Sequence, residues 1–507
     1  RIIGARSRIR LASTCDNFVR LPPCVASYSI TPNRVFSMAT ARSLSERLDA
    51  LNEYDREPVP ENTLQGPTNF AGIYAGEHVA GTEFVIGPLF VAHGVAAFDL
   101  MAGLLIGNLL AVLSWGLVCA PIATRTRLNQ YWQLRRVVGP GLLVVYNIVN
   151  ALMFCFLAGS MISVAATAVG LPFDMPMPGL SDFYPTSMAW VYTVIGVGAV
   201  VTVVAILGFE KMARFSTFAA PVLFAVFVYS GVTSLPKLGM DGWGDFWRVA
   251  NEVIWTGIPL EGRTPFTFWH VMFFAWFANA AMHLGMADMT ILRYAKKWQY
   301  GFFSAFGMYL GHFVAWIASG ILVALAMQQG GDVAPGPIAM LGAGAVGLLT
   351  VVIAGWTTAN PTIYRAGLAL QTITPNWKRW KVTAFVGALT TVAALFPALM
   401  MRLLDFVALY GLLLVPMGGV LLADYWMLPR LGLSRHGAER YQWMVSVPAL
   451  VSWIGALVVA FLLNHLGSLA LFFLGLPAWI TAMVLYVALR YAQARRSPEA
   501  TAIPRRS

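Results

Sequence analysis

Three ionisable side chains, Glu77, His78 and Glu83, fall within one otherwise apolar stretch, residues 72–90, GIYAGEHVAGTEFVIGPLF. An ionisable group near the centre of a bilayer costs roughly 2.5–3.5 kcal/mol on insertion scales. Three in one span point to a place where a polar ligand or an ion is held. Successive helical residues are turned by about 100°, so the three cannot face one way from a straight helix. Gly76 and Gly81 flank them and lower the cost of opening the backbone. The expectation is a helix interrupted at mid-membrane, with a site in the interruption.

A second stretch repeats the pattern. AGEHVAGTEF from Ala75 aligns with AAMHLGMADM from Ala280, matching His78 to His283 and Glu83 to Asp288. Asn279 and His283 lie one helical turn apart and share a face. Asp288 has Arg293 as a candidate structural partner. A third stretch, VVIAGWTTANPTIYRAGLALQTI, places Ala354, Thr357 and Thr358 on one face and Thr357, Asn360 and Tyr364 on the next. Hydroxyl and carbonyl oxygens suit a hard monovalent cation, and Pro361 removes one backbone hydrogen bond. In NALMFCFLAG, Phe154 or Phe156 offers a ring to stack on a flat ligand.

Each feature also has a plain structural reading. Buried carboxylates and imidazoles can tie helices together, threonines can bond back to their own helix, and a phenylalanine can be core. Glu83, beyond Gly81, fits either reading. Asn147 and Asn150 read as packing groups, and His93, His270, His312 and His465 are given no role. GxSxG, HExxH, P-loop and CxxC patterns are absent from the sequence, which argues against an enzyme and against ATP-driven transport by this chain.

The elements that must carry these residues follow from composition. The chain has 507 residues, 58% hydrophobic and 11% charged, where soluble domains carry about 25% charged. It reads as an all-α polytopic membrane protein. Runs of spanning length fall near 68–91, 96–119, 138–168, 189–208, 213–233, 267–289, 300–328, 338–371, 382–401, 403–424, 445–464 and 468–490, giving twelve transmembrane helices. The net charge of +11 sits mostly in alternate short loops, so it sets orientation rather than nucleic-acid binding. By the positive-inside rule both termini are cytoplasmic. Four cysteines show no metal spacing and no disulfide framework.

The arginine-rich residues 1–37 precede the first methionine, Met38, and read as an upstream extension of the reading frame or a targeting segment. They are left out of the fold reasoning. The rest of the N-terminal cytoplasmic tail runs to residue 67. Residues 68–233 form a first set of five spans and 267–424 a second. The 234–266 extracytoplasmic loop between them carries an interfacial helix, GWGDFWRVANEVIW. Five spans per set forces opposite orientations, a 5+5 inverted repeat. Residues 425–490 hold helices eleven and twelve, and 491–507 a cytoplasmic tail.

WTTANPTIYRAGLAL followed by PMGGVLLADYWMLPR resembles the nucleobase:cation symporter-1 family, the purine/cytosine permease-like proteins that include cytosine, allantoin and hydantoin carriers. The likeness runs over roughly residues 60–490, with GNLLAVL of span two and the basic loop after it. The resemblance implies the leucine-transporter-type fold. Substrate would lie between broken spans one and six, closed by spans three and eight, with a sodium ion, or sometimes a proton, between spans one and eight. By position, Thr357 and Thr358 look like the family's cation hydroxyls. Ala354 and the span-one backbone near Gly76 and Val79 would supply carbonyls. Asn360 falls in the polar cluster near the substrate, and Phe154 where a stacking tryptophan is often found. The chain departs from the family at Ala359–Asn360–Pro361–Thr362, in the wide spacing of Asp288 and Arg293, and in the charge of Glu77 and His78. These departures favour a nitrogen-rich substrate other than cytosine.

The expected function is cation-coupled symport of a nucleobase or related heterocycle by alternating access, in a bacterial-type inner or plasma membrane. The substrate residues are Gly76, Glu77, His78, Phe154, Asn279, His283 and Asn360, and the sodium residues Val79, Ala354, Thr357 and Thr358. The partners are a small heterocyclic molecule and membrane lipid, on a monomer with no cofactor beyond the coupling sodium or proton. The alternatives are a divalent-metal carrier of the same fold, motivated by His78, Met282 and His283, and a transport-inactive membrane sensor.

Overall fold

In the computed structural model the described residues are 53–178, 182–398, 403–467 and 469–496. The 1–37 segment and the tail after residue 496 lie outside them. The described chain is helical with no strand.

Span one is two helices, α1 (Pro67–His78) and α2 (Glu83–Ala92), with residues 79–82 irregular between them. Span two is α3 (Ala97–Thr126). A short helix, α4 (Gln130–Val138), starts where the Asn129 side chain accepts from Trp132 N at 2.8 Å, an N-cap. It stops at Gly139 (φ +87°), and α5 (Pro140–Gly170) begins at once with proline at its first position. Next come α6 (Met188–Ile206) and α7 (Phe209–Ser234). The long loop carries a short helix, Phe246–Val249, with Trp247 exposed on it and Trp243 exposed just before it, as an interfacial anchor requires.

Span six is in pieces: α8 (Phe268–Phe277), α9 (Ala280–His283) and α10 (Met289–Leu292). Then follow α11 (Trp298–Gln328), α12 (Pro335–Ile373), α13 (Arg379–Ala394), α14 (Leu403–Leu422), α15 (Val447–Gly467) and α16 (Leu471–Arg496). The eighth span does not run straight from residue 338 as expected. A kink at Ala343 and Gly344 (φ +57°) separates a lead-in helix from the span proper. Among the described residues, nine helices are long and apolar enough to cross a membrane. Of the other three expected spans, one and six are broken and span nine, α13, has 16 residues.

An outward stripe of Leu105, Leu109 and Leu117 on α3 is exposed while Leu104, Asn108, Ala111 and Trp115 are buried. Apolar side chains thus cover both faces, as lipid-facing helices need. Lipid offers little hydrophobic drive for helices to associate, so close packing of small residues does the holding. Gly355 of α12 shows it: a Cβ there would sit 2.8 Å from the Ala165 Cβ of α5. Spans three and eight pack along each other, span one lies against five and seven, and span six against two and ten. That pairing is what an inverted repeat produces. The ADYW motif is structural: Asp424 accepts from Tyr486 OH (2.9 Å) and His436 N (3.0 Å), tying the end of span ten to span twelve.

Candidate functional site

The two interruptions match residue for residue. His78 ends α1 and Glu83 starts α2. His283 ends α9 and Asp288 directly precedes α10. Within the second interruption Met286 has φ +67°. A left-handed backbone at a non-glycine residue costs about 1–3 kcal/mol and persists only where the surroundings impose it.

One guanidinium joins the two breaks. Arg365 of α12 donates from Nη1 to Glu77 Oε1 (2.6 Å) and from Nη2 to Glu77 Oε2 (3.0 Å). It also donates from Nε and Nη2 to Asp288 Oδ1 (3.0 and 2.5 Å). Four of its five N–H groups are thus committed, and the three side chains are at most 2% exposed. Burying such ions costs several kcal/mol each, and only geometry of this quality offsets it. Arg365 therefore does not face a ligand. It clamps span one to span six through span eight.

Each break also receives an indole from the opposite repeat. Trp115 Nε1 of span two donates to Asp288 Oδ2 at 2.5 Å. Trp316 Nε1 of span seven donates to Glu83 Oε2, and Ser319 Oγ donates to the Glu83 carbonyl at 2.6 Å. The two tryptophan–carboxylate pairs exchange under the repeat symmetry.

Beside the span-one break, and against Ala278, Asn279 and Met282 of span six, lies a cavity of about 50 Å³. Its polar wall is Glu77, His78, Thr82 and Glu83 of span one, Asn279 of span six, His312 of span seven and Thr358 and Thr362 of span eight. Leu157 and Met161 of span three close it. His78 Nδ1 lies 2.8 Å from the Tyr74 carbonyl. A carbonyl only accepts, which assigns the proton to Nδ1 and leaves Nε2, otherwise unpartnered, as an acceptor. Asn279 Nδ2 donates to His312 Nε2 at 3.4 Å, which places the His312 proton on Nδ1. The His312 ring stacks on Trp316 (4.1 Å, 12°) and meets His78 edge-on at 5.0 Å. The cavity thus offers one imidazole acceptor, one imidazole donor and one carboxamide.

Beside it, oxygens converge between spans one and eight. Thr357 and Thr358 hydroxyls donate to the Ala354 carbonyl (3.0 and 3.1 Å), and Thr358 also to the Glu77 carbonyl at 2.9 Å. Val79 is buried in the same apolar cluster as Ala354. The donor set is all oxygen, which fits a hard cation by type.

Several expectations are corrected. Phe154 packs edge-to-face on Tyr410 (5.4 Å, 71°) and is not on the cavity wall. His283 turns away, its Nε2 3.0 Å from the Trp276 carbonyl and its ring beside Trp115. Gly76 lies against span five, where a Cβ would come 2.6 Å from Ser216 Cβ. Asn360 is buried off the cavity, its amide without a partner among the described residues. Glu77 reaches the wall, but its carboxylate is committed to Arg365. Asp288 does not pair with Arg293. Instead Arg293 donates to the carbonyls of Glu53 (2.5 Å) and Tyr54 (2.6 Å). The Glu53 carboxylate accepts from Tyr364 OH (2.6 Å), Tyr294 OH (2.8 Å) and Phe209 N (3.2 Å), strapping the segment before α1 to spans five, six and eight. Arg365 and His312 were missed. Arg365 stands in the quoted span-eight sequence two helical turns after Thr358, on the same face, and that spacing would have found it.

No family model matches the sequence, and no curated protein does. Solved structures do. Mhp1, a nucleobase-cation-symport-1 family transporter, in a closed conformation with bromovinylhydantoin bound, is similar over 89% of this chain and 98% of its own, with TM-score 0.66 and 19% identity. The inward-facing conformation of Mhp1 covers 90% and 96%, with TM-score 0.62 and 18% identity. A Na+-coupled sialic acid symporter in a substrate-bound outward-open state covers 88% and 92%, with TM-score 0.60 and 15% identity. The chain has the leucine-transporter-type fold of these integral membrane proteins.

Proposed function

We propose that this chain is a secondary active transporter of the nucleobase:cation symporter-1 type. It would carry a small nitrogen-rich heterocycle across the plasma membrane with a cation, by alternating access. The observation that carries the reading is that two interruptions at repeat-related positions are joined through Arg365, and that the span-one interruption opens on a polar cavity shared with Ala278, Asn279 and Met282 of span six. A single kink would be a packing accident; a symmetric pair tied together beside a cavity is a place where one bundle can rock against the other. The hydantoin bound to Mhp1 and the sodium coupling of the sialic acid symporter support the substrate class and the ion.

His78 Nε2 would accept a ring N–H, and His312 Nδ1 and the Asn279 amide would meet a ring carbonyl, the –NH–CO– edge of uracil, hydantoin or allantoin. At about 50 Å³ the cavity holds a few water-sized spheres of about 10–15 Å³ each, so its walls must part to admit a ring. Glu77 then serves by holding the two halves of the site rather than by touching substrate. Thr357, Thr358 and the carbonyls of Ala354, Glu77 and Val79 would hold the coupling cation. The divalent-metal alternative gains no support, since no group of three His, Cys, Asp or Glu side chains gathers among the described residues.

Thermal-shift titration with uracil, hydantoin and allantoin, with and without sodium, tests the reading. His78→Ala should weaken binding about tenfold, the 1.4 kcal/mol expected of one buried hydrogen bond. A heterocycle that binds His78→Ala and Asn279→Ala as tightly as the parent protein would place the site elsewhere.

A further inference from the structure

We propose that Glu83 is a proton-binding site of the transport cycle, taking up one proton on the side to which the cavity is open and releasing it on the other. This deepens the transporter reading and rests on it. No other bond changes: the carboxylate gains a proton from water and returns it to water as the carboxylate re-forms.

Glu83 and Asp288 occupy equivalent places at the two breaks, and each carboxylate accepts from an indole of the opposite repeat. Asp288 has in addition the Arg365 guanidinium; Glu83 has no such cation among the described residues. Glu83 as a residue is 1% exposed, and its carboxylate's remaining side-chain donor is Thr82 Oγ1 at 3.4 Å. Four carboxylates are buried among the described residues: Glu77, Glu83, Asp288 and Asp424. Glu77 and Asp288 share Arg365, and Asp424 is held by Tyr486 and His436 away from the cavity. Of these, Glu83 is the carboxylate on the cavity wall with no ion pair among the described residues.

The surrounding groups do not make up the difference. Span one itself presents Glu77 and His78 to the cavity, and span seven presents His312. Span six contributes Asn279 and Met282, span three Leu157 and Met161, span eight Thr358 and Thr362, and span ten Val407, none of them charged. Span five sets Phe227 against Phe84. Arg365 is already shared by two carboxylates, so that triad carries one net negative charge. The N-terminus of α2 favours an anion at Glu83, but a helix end weighs less than burial of a lone carboxylate. A second uncompensated anion in so small a space is neutralised most simply by a proton. The arrangement also allows exchange. The Trp316 indole can donate to the carboxylate and to the carbonyl oxygen of the neutral acid alike, so proton gain and loss need not break that contact.

The test uses the full-length protein in two measurements. In lipid nanodiscs without substrate, infrared difference spectra between acid and alkaline pH report buried carboxyl groups by their C=O stretch. The parent protein should show a carboxyl band that Glu83→Gln lacks; identical spectra overturn the proposal. In liposomes, with tritiated uracil, hydantoin and allantoin as the probe and sodium equal on both sides, exchange is compared with accumulation driven by a pH gradient. In Glu83→Gln the ratio of pH-driven accumulation to exchange should fall about tenfold per pH unit imposed, the factor one coupled proton supplies. A ratio equal to that of the parent overturns the proposal. If the parent exchanges none of the three, the transporter reading fails, while the infrared band still decides whether Glu83 binds a proton. Should Glu83→Gln fail to fold, Trp316→Phe keeps the carboxyl and removes its donor; the C=O band should then move to higher frequency, and an unmoved band refutes the assignment.

Discussion

Replacing Arg365 with methionine keeps an unbranched stem as long as that of arginine to Nε and removes the guanidinium between Glu77 and Asp288. Breaking a buried ion pair by deleting one partner costs about 3–5 kcal/mol, because the survivor is left charged without compensation. Here one cation serves two carboxylates through four hydrogen bonds of 2.5–3.0 Å, which puts the expected loss at the upper end. About 4 kcal/mol is a roughly thousandfold shift toward the unfolded state. Neutralising the two acids as well, in Glu77→Gln, Asp288→Asn, Arg365→Met, should recover most of that loss, since replacing a whole buried cluster is often nearly neutral. Arg365→Lys should fall between, because an ammonium is a point charge and cannot fork to two carboxylates. Loss of the monodisperse protein in mild detergent, followed with time at fixed temperature by size-exclusion chromatography, reads the order of the variants. The reasoning is refuted if Arg365→Met survives as long as the parent, or if the triple variant is no better than the single one.

Three further outcomes follow from the same geometry. Thr357→Ala with Thr358→Ala removes both hydroxyls beside the Ala354 carbonyl, and heterocycle binding should lose its sodium dependence; dependence that persists would move the cation elsewhere. Tyr364→Phe deletes the 2.6 Å bond to Glu53, a hydrogen bond to a charged group worth about 1.5–3 kcal/mol. Amide hydrogens of residues 53–66 should then exchange faster, and unchanged exchange would show that the strap is held by other contacts. Phe154→Ala should cost about 3–5 kcal/mol of stability and leave heterocycle affinity within about twofold; a tenfold loss of affinity would return the ring to the site.

Much of this architecture is legible in the residues. Acids and histidines within apolar runs are expensive enough in a membrane to announce a break, and the alignment of His78 with His283 and Glu83 with Asp288 survives as matching helix ends. What the one-dimensional reading lacks is direction. Phe154 shares a helix face with Leu157 and Met161 but sits one to two turns along it, far enough to pack on Tyr410 instead of the cavity. His283 shares a type and register with His78, yet its ring turns to a carbonyl on its own span. Arg365 escaped because arginines were weighed by loop, where they set orientation. An arginine inside a span answers instead to the acids inside other spans. Gly76 and Gly81 lower the cost of opening the backbone, and at both a Cβ would also press on a neighbouring helix. The pairing of each break with an indole from the opposite repeat needed three dimensions, since Trp115 and Trp316 lie far in sequence from their partners.

If the cavity beside the span-one break is a transport site coupled to an ion, it must move substrate against its gradient. Purified protein in liposomes, given tritiated uracil, hydantoin and allantoin under an inward sodium or proton gradient, tests it most directly. At least one should be concentrated inside, dissipating the gradient should abolish the accumulation, and Asn279→Ala and His78→Ala should weaken it. Uptake that only equilibrates, or accumulation indifferent to both substitutions, would contradict it.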